Sequence, residues 1–76
     1  MTRIISANLN GIRSANTKGF FDWAAQQSAD IVCVQELKAQ ADVVEAHFDE
    51  FAGLRGYFQY DEKKGYSGVG LYSRHQ

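Results

Sequence analysis

The most informative stretch of the sequence is Ile31-Val32-Cys33-Val34-Gln35-Glu36-Leu37-Lys38. Its first four residues are apolar and mostly β-branched, which is typical of a strand buried on both faces of a sheet. Polar residues follow at once, so the predicted strand 31–34 places Glu36 just after its carboxyl end. In α/β proteins, this end of a parallel sheet is where ligands bind.

A second strand with a polar carboxyl end is predicted upstream, from Arg3 to Leu9. Between the two strands, aromatic and alanine residues at helical spacing predict a helix that begins at Asn16 or Thr17 and ends at Gln27. A strand, a helix and a strand in this order are typical of a right-handed parallel crossover. We therefore expect the polar ends of the two strands to lie side by side.

The rest of the sequence predicts a second helix and an antiparallel pair of strands. The helix extends from about Asp42 to Phe51 and is ended by the glycines that follow. Aromatic and branched residues then predict strands at Tyr57–Tyr60 and Val69–Tyr72. The connection Asp61–Gly68 is too long for a two-residue hairpin, so we expect an exposed loop there.

The length and composition indicate one small globular domain at most. The chain has 76 residues, of which 45% are hydrophobic and 22% charged, and this composition favours neither a disordered nor a membrane-spanning protein. The net charge of −1 does not indicate a broad polyanion-binding surface, so any such site must be local. The single cysteine, Cys33, lies in an apolar strand and is predicted to be a buried structural thiol. We expect a soluble, cytoplasmic protein.

Three polar side chains at the predicted strand ends are candidates for chemistry. Asn8 and Asn10 are two residues apart and project to one face if the strand continues, although Asn10 before a glycine is also typical of a turn. Glu36 follows a strand predicted to be buried, where a carboxylate needs a partner. That partner is either Lys38, in a salt bridge at the strand end, or a hard cation such as Mg²⁺.

The segment 63–68, Lys-Lys-Gly-Tyr-Ser-Gly, places two cations and an aromatic ring among glycines. This combination suits contact with a phosphate backbone and stacking against bases. An ordinary solvated loop has the same composition, so this segment alone does not distinguish the two.

Three motifs in order along the chain together resemble the amino-terminal part of the exonuclease III family of apurinic/apyrimidinic (AP) endonucleases. The resemblance spans nearly the whole chain, and three motifs at suitable spacing are more specific than any one of them. The motifs are IISANLNGIR at 4–13, ADIVCVQELK at 29–38 and KGYSGVGLYS at 64–73.

The resemblance implies an α/β fold of the DNase I-like type, a sandwich of two sheets, of which this chain holds the amino-terminal part. Residues 1–76 are then a fragment of a single endonuclease/exonuclease/phosphatase domain. The family's water-activating Asp-x-Asn pair and late Asp-His pair fall beyond Gln76. The chain is therefore expected to be incomplete and, alone, inactive.

The resemblance also implies roles for individual residues. Glu36 matches the metal-ligating glutamate, and Asn8 matches the asparagine that coordinates the metal or lies beside it. Asn10 falls where some members have aspartate, which implies an indirect contact with the metal. The remaining matches are DNA-binding positions: Arg13 and Lys18 near the DNA backbone, and Gly65 and Tyr66 in the loop that inserts at the minor groove.

The activity implied for the full-length protein is that of a DNA-repair nuclease. In this family Mg²⁺, or alternatively Mn²⁺, assists hydrolysis of the phosphodiester 5′ to an abasic site in double-stranded DNA, and a 3′–5′ exonuclease activity can accompany it. The full-length protein is expected to be a monomer. Two alternatives remain open: a short non-catalytic module that binds DNA or a partner, and a relative that cleaves a lipid or nucleotide phosphate.

Overall fold

The sheet and its helices follow the alternation predicted from the sequence, with differences in the helical segments. A computed structural model describes residues 2–61 and 67–74 of the chain. The elements of this part are β1 Ile4–Asn8, α1 Ile12–Thr17, α2 Phe20–Ala25, β2 Ile31–Gln35, α3 Ala41–His47, β3 Glu50–Phe51, β4 Leu54–Asp61 and β5 Ser67–Ser73.

The strands of the described residues form one five-stranded mixed sheet in the order β1-β2-β5-β4-β3. β1 and β2 are parallel, with Ile4 opposite Ile31 and Asn8 opposite Gln35, so the predicted parallel pairing of these strands is confirmed. β5 lies between β2 and β4 and is antiparallel to both. This arrangement also confirms the predicted antiparallel pairing of the last two strands, and it brings the start of β5 to the carboxyl ends of β1 and β2.

The helical connection between β1 and β2 differs from the prediction, because two short helices replace one. α1 begins at Ile12, earlier than predicted, and buries Ile12 and Ala15. The chain then turns at Gly19, which has a φ of 92° and precedes the first residue of α2. A left-handed glycine ends one helix at little cost and redirects the chain. The amphipathic pattern is therefore real, but it belongs to two helices.

The third helix is shorter than predicted, and Phe51 lies in a strand. α3 ends at His47, and β3 then pairs with β4 through Phe51 and Leu54. The turn between them places Ala52 and Gly53 at φ values of 51° and 81°. The apolar spacing suggested a longer helix because Phe51, although it lies in β3, packs into the same core as α3.

The helices lie on one face of the sheet, and Tyr72 is at the centre of the core between them and the sheet. The Tyr72 side chain is fully buried, and its ring lies 4.8 Å from that of Phe51, 5.5 Å from Phe58 and 5.9 Å from Phe21. These edge-to-face contacts stabilise the core beyond the burial of apolar area.

The opposite face of the sheet is open, which corrects the prediction for β2. Val32 and Val34 are buried, whereas Cys33 between them is half-buried, so the strand is covered on one face and not on both. Side chains of the neighbouring strands on the same face are also exposed, Val69 at 52% and Leu71 at 37%. No helix among the described residues is long and apolar enough to cross a bilayer.

Removing the Tyr72 hydroxyl is expected to destabilise the protein and to change its response to alkali. The hydroxyl donates a hydrogen bond to the Phe48 carbonyl at 2.5 Å. Burial raises the pKa of Tyr72, and the charges of Asp49 and Tyr60 raise it further. Because the folded pKa lies above the unfolded value of about 10, this group's contribution to stability is present below pH 10 and is lost as the pH rises above it.

Tyr72→Phe in the full-length protein should therefore lower the free energy of unfolding at pH 7 by about 1 kcal/mol. It should also reduce the loss of stability above pH 10. Urea unfolding at pH 7 to 11 measures both effects. Burial raises the pKa of Tyr60 as well, so part of the alkaline loss should remain. Identical alkaline slopes in the two proteins would show that Tyr72 does not carry this dependence.

Candidate functional site

The loops that follow β1 and β2 are hydrogen-bonded to each other and form one edge of the sheet. The Leu9 amide donates to the Gln35 carbonyl at 2.9 Å, and the Gly11 amide donates to the Glu36 carbonyl at 2.9 Å. The Ile12 amide continues this pattern to the Leu37 carbonyl at 2.8 Å. Hydrogen bonds therefore fix the backbone just beyond the ends of β1 and β2, and with it the positions of the side chains at this edge.

The backbone at this edge adopts an uncommon conformation at three positions. Asn10, Glu36 and Lys38 have φ values of 49°, 53° and 49°. Asparagine tolerates the left-handed region, but glutamate and lysine adopt it at a cost of about 1–3 kcal/mol each. Such strain persists only where the surrounding contacts impose it, and it is concentrated at functional sites.

A chain of polar contacts joins the four polar side chains that leave this edge. Asn8 Nδ2 donates to Glu36 Oε2 at 2.6 Å, while Asn8 Oδ1 accepts from the Asn10 amide at 3.0 Å. Lys38 Nζ donates to Asn10 Oδ1 at 2.6 Å and lies 3.9 Å from Glu36 Oε1. Asn8, Asn10 and Glu36, singled out in the sequence, are thus brought together.

These contacts assign different positions to the two asparagines. Asn8 turns its amide nitrogen to Glu36, so in this arrangement it orients the carboxylate and compensates part of its charge. Asn10 turns its side-chain oxygen to Lys38, and its backbone forms a turn around Asn8. Because β1 ends at Asn8 and Asn10 has a φ of 49°, the strand does not continue through both asparagines, and the turn interpretation of Asn10 is correct.

The donor set fits a hard divalent cation that keeps most of its water ligands. The Glu36 side chain is 41% exposed, and its Oε1 forms a salt bridge of 3.9 Å with Lys38 Nζ, so the alternative partner predicted from the sequence is present. Mg²⁺ is commonly held by one or two carboxylates together with water and substrate phosphate. Within residues 2–61 and 67–74 no group of three or more His, Cys, Asp and Glu side chains could enclose a metal. Glu36 is thus the carboxylate to which an open, hydrated site could be anchored.

The predicted DNA-backbone residues lie on the helical connection beside this edge. Arg13 is exposed on α1, and Lys18 is exposed between α1 and α2. Lys18 lines an open cleft of about 420 Å³ together with Asn8 and the rings of Phe20 and Trp23. Lys18 and Asn8 therefore line the same cleft, whereas Arg13 is not among its lining residues.

The two loop residues predicted to contact DNA, Gly65 and Tyr66, lie outside the described residues. The strand that follows them is described, and it contacts the site through Gly68. The Gly68 carbonyl accepts a hydrogen bond from the Leu37 amide at 3.1 Å. This bond, which the sequence patterns did not predict, connects the start of β5 to the backbone next to Glu36.

Comparison with known proteins identifies the family to which this chain belongs. A family model described as the endonuclease/exonuclease/phosphatase family matches residues 5–76. A DNA-(apurinic or apyrimidinic site) endonuclease 2 of Schizosaccharomyces pombe is 40% identical in an alignment 80 positions long. The alignment covers 92% of this chain and 15% of that protein. An exodeoxyribonuclease of Bacillus subtilis is 35% identical over 75 residues, covering 97% of this chain and 29% of its own length.

A solved structure also superimposes on nearly the whole chain. It is the crystal structure of the Xenopus laevis APE2 catalytic domain, with a TM-score of 0.72 and 35% identity, covering 92% of this chain and 22% of that one. Across these three proteins, the chain spans between 15% and 29% of the relative's length. Because the family model covers residues 5–76, the chain belongs to the endonuclease/exonuclease/phosphatase family, with the DNase I-like α/β fold.

Proposed function

We propose that this chain is the amino-terminal part of a single-domain, monomeric DNA-repair nuclease that acts inside the cell. Its substrate is double-stranded DNA with abasic sites, and it hydrolyses the phosphodiester 5′ to the lesion, with 3′–5′ exonuclease activity in addition. The hydrogen bond from Asn8 to Glu36 at the carboxyl ends of β1 and β2 carries the proposal. The AP endonuclease and exodeoxyribonuclease names of the relatives support it.

In this proposal Glu36 holds Mg²⁺, or Mn²⁺ in its place, through the partly exposed carboxylate. A divalent ion bound there polarises the scissile phosphate and stabilises the negative charge that develops in the transition state. Asn8 keeps the carboxylate oriented by donating to Oε2, and Asn10 acts indirectly, through its contact with Lys38. The positive charge of Lys38 favours the approach of a phosphate to this edge.

The DNA contacts in the proposal follow the sequence matches. Arg13 and Lys18 bind the backbone phosphates, and the cleft that Lys18 lines together with Asn8 supports this for Lys18. Gly65 and Tyr66 insert at the minor groove, where they stabilise an extrahelical abasic nucleotide. Extruding such a nucleotide costs little because it has no base to unstack or unpair, which favours damaged over intact DNA.

The group that activates the attacking water is assigned to the part of the protein beyond this chain. While Glu36 holds the ion it is a poor general base, because the bound cation lowers the proton affinity of the carboxylate. The short coverage of the relatives supports this division of the site. The 76-residue chain alone is therefore expected to have no nuclease activity.

The test compares the chain with the protein translated from its extended reading frame. Each is incubated with an end-labelled duplex that carries one abasic site, in Mg²⁺ or in EDTA, and the products are mapped to the nucleotide. We expect cleavage on the 5′ side of the lesion by the extended protein in Mg²⁺, and none by the chain alone. Binding of abasic DNA by the extended protein without cleavage would contradict the proposal and favour a non-catalytic module.

A further inference from the structure

Leu37 differs sharply from the two polar residues beside it. Its side chain is fully buried in the core, whereas Glu36 and Lys38 on either side turn outward and are 41% and 50% exposed. The left-handed backbone at both flanking residues produces this arrangement. Leu37 thus anchors a segment in which both neighbours are strained.

The backbone of Leu37 connects the ends of three strands. Its amide donates to the Gly68 carbonyl at 3.1 Å, at the start of β5, and its carbonyl accepts from the Ile12 amide at 2.8 Å, after β1. Leu37 itself follows β2. The residue is therefore fixed from both sides, directly next to the carboxylate that is proposed to hold the ion.

Gly68 provides the space into which the Leu37 side chain packs. A Cβ atom at this position would lie 3.3 Å from Leu37 Cδ1 and 2.9 Å from the Gln59 carbonyl oxygen. The second contact is with backbone, so a side chain at position 68 would force a shift of the strand or of Leu37. A Cβ atom at residue 68 would thus press on Leu37 Cδ1 and clash with the backbone of β4.

From these contacts we propose that Leu37, packed against Gly68, is the positioning residue for the Glu36 carboxylate. Strained backbone at Glu36 persists only while its surroundings impose it, and the burial of Leu37 does so together with the backbone hydrogen bonds on either side of it. Without that anchor, Glu36 relaxes away from Asn8 Nδ2 and the carboxylate loses its fixed direction. The inference rests on the proposed function, because it takes Glu36 to be the metal ligand.

The test measures Mn²⁺ affinity in the full-length protein, by isothermal titration without DNA. Leu37→Ala is compared with Leu54→Ala, which makes the same change at a residue that is 2% exposed and lies at the opposite end of the sheet. We expect Leu37→Ala to weaken Mn²⁺ binding about 10- to 100-fold, as loss of groups that orient metal ligands does. Leu54→Ala should stay within about twofold of the parent protein, although both changes empty core volume.

A second pair of variants keeps the test informative if Leu37→Ala does not fold. Gly68→Ala should also weaken Mn²⁺ binding. Gly70→Ala on the same strand should lower stability and leave the Mn²⁺ affinity unchanged, because its new Cβ meets Phe58 and Val34. Circular dichroism establishes that each variant is folded. If Leu37→Ala and Gly68→Ala bind Mn²⁺ as tightly as Leu54→Ala and Gly70→Ala, the inference is overturned.

The failure of the positioning role can be separated from failure of the proposed function. Glu36→Gln is titrated alongside the other variants. If the parent protein binds no Mn²⁺, or binds it equally well without the Glu36 carboxylate, the proposed metal site falls and the inference with it. If binding depends on Glu36 but not on Leu37 or Gly68, the metal site stands and the positioning role is wrong.

Discussion

Replacing Glu36 with glutamine in the full-length protein is expected to lower the rate of phosphodiester cleavage by about 100-fold or more. Glutamine has nearly the same shape, but it lacks the negative charge that is proposed to hold a divalent cation. The variant keeps an oxygen for the hydrogen bond that Asn8 donates at 2.6 Å, so local packing should persist. Steady-state cleavage of abasic duplex across a range of Mg²⁺ concentrations measures the effect.

Glu50→Gln is the matched control for this experiment. Glu50 is exposed on the short strand β3 and pairs with Arg55 at the opposite end of the sheet. The same change of charge at this position should leave the cleavage rate within about twofold, since surface substitutions away from a site have small effects. A Glu36→Gln protein that keeps more than a tenth of the parent rate would contradict the assignment of Glu36.

Gly70→Ala is expected to lower the free energy of unfolding by about 1–3 kcal/mol. A Cβ atom at residue 70 would lie 2.5 Å from Phe58 Cδ1 and 3.2 Å from Val34 Cγ2. Phe58 cannot move freely, because its ring packs edge-to-face on Tyr72 with the centroids 5.5 Å apart. Urea unfolding of the full-length protein measures the loss.

A double-mutant cycle with Phe58→Ala identifies the cause of this loss. Removing the ring opens the space that the new methyl group needs, so Gly70→Ala should cost less in the Phe58→Ala background than in the parent protein. The difference between the two costs is the coupling between residues 58 and 70. Equal costs in both backgrounds would show that the Phe58 ring is not what excludes a side chain at residue 70.

Local patterns in the sequence predicted four of the five described strands, whereas they missed β3 and predicted the helices less well. The apolar run at 31–34 and the branched residues around Val69 each form strands, because alternation and β-branching act over neighbouring residues. The interruption of the helix at Gly19 was missed because the apolar residues of α1 and α2 are buried in the same core. The place of β5 between β2 and β4 depends on pairing between distant residues, which no local pattern contains.

The candidate site was predictable in its location and less so in its connections. Two strands with polar carboxyl ends in a parallel crossover must bring Asn8 and Glu36 to one edge, and the 2.6 Å contact confirms that they meet. The side-chain bond of Lys38 to Asn10 and the anchor formed by Leu37 depend on left-handed backbone at residues 36 and 38. Glutamate and lysine rarely adopt that conformation, so their identities gave no signal for it.

The most direct test of the metal site is a crystal structure of the full-length protein soaked in Mn²⁺, with data collected at the manganese absorption edge. We expect one anomalous peak within bonding distance of a Glu36 carboxylate oxygen, with Asn8 still adjacent to that carboxylate, and no peak there in the Glu36→Gln protein. A manganese ion bound elsewhere in the active protein, with the Glu36 carboxylate free of it, would contradict the account.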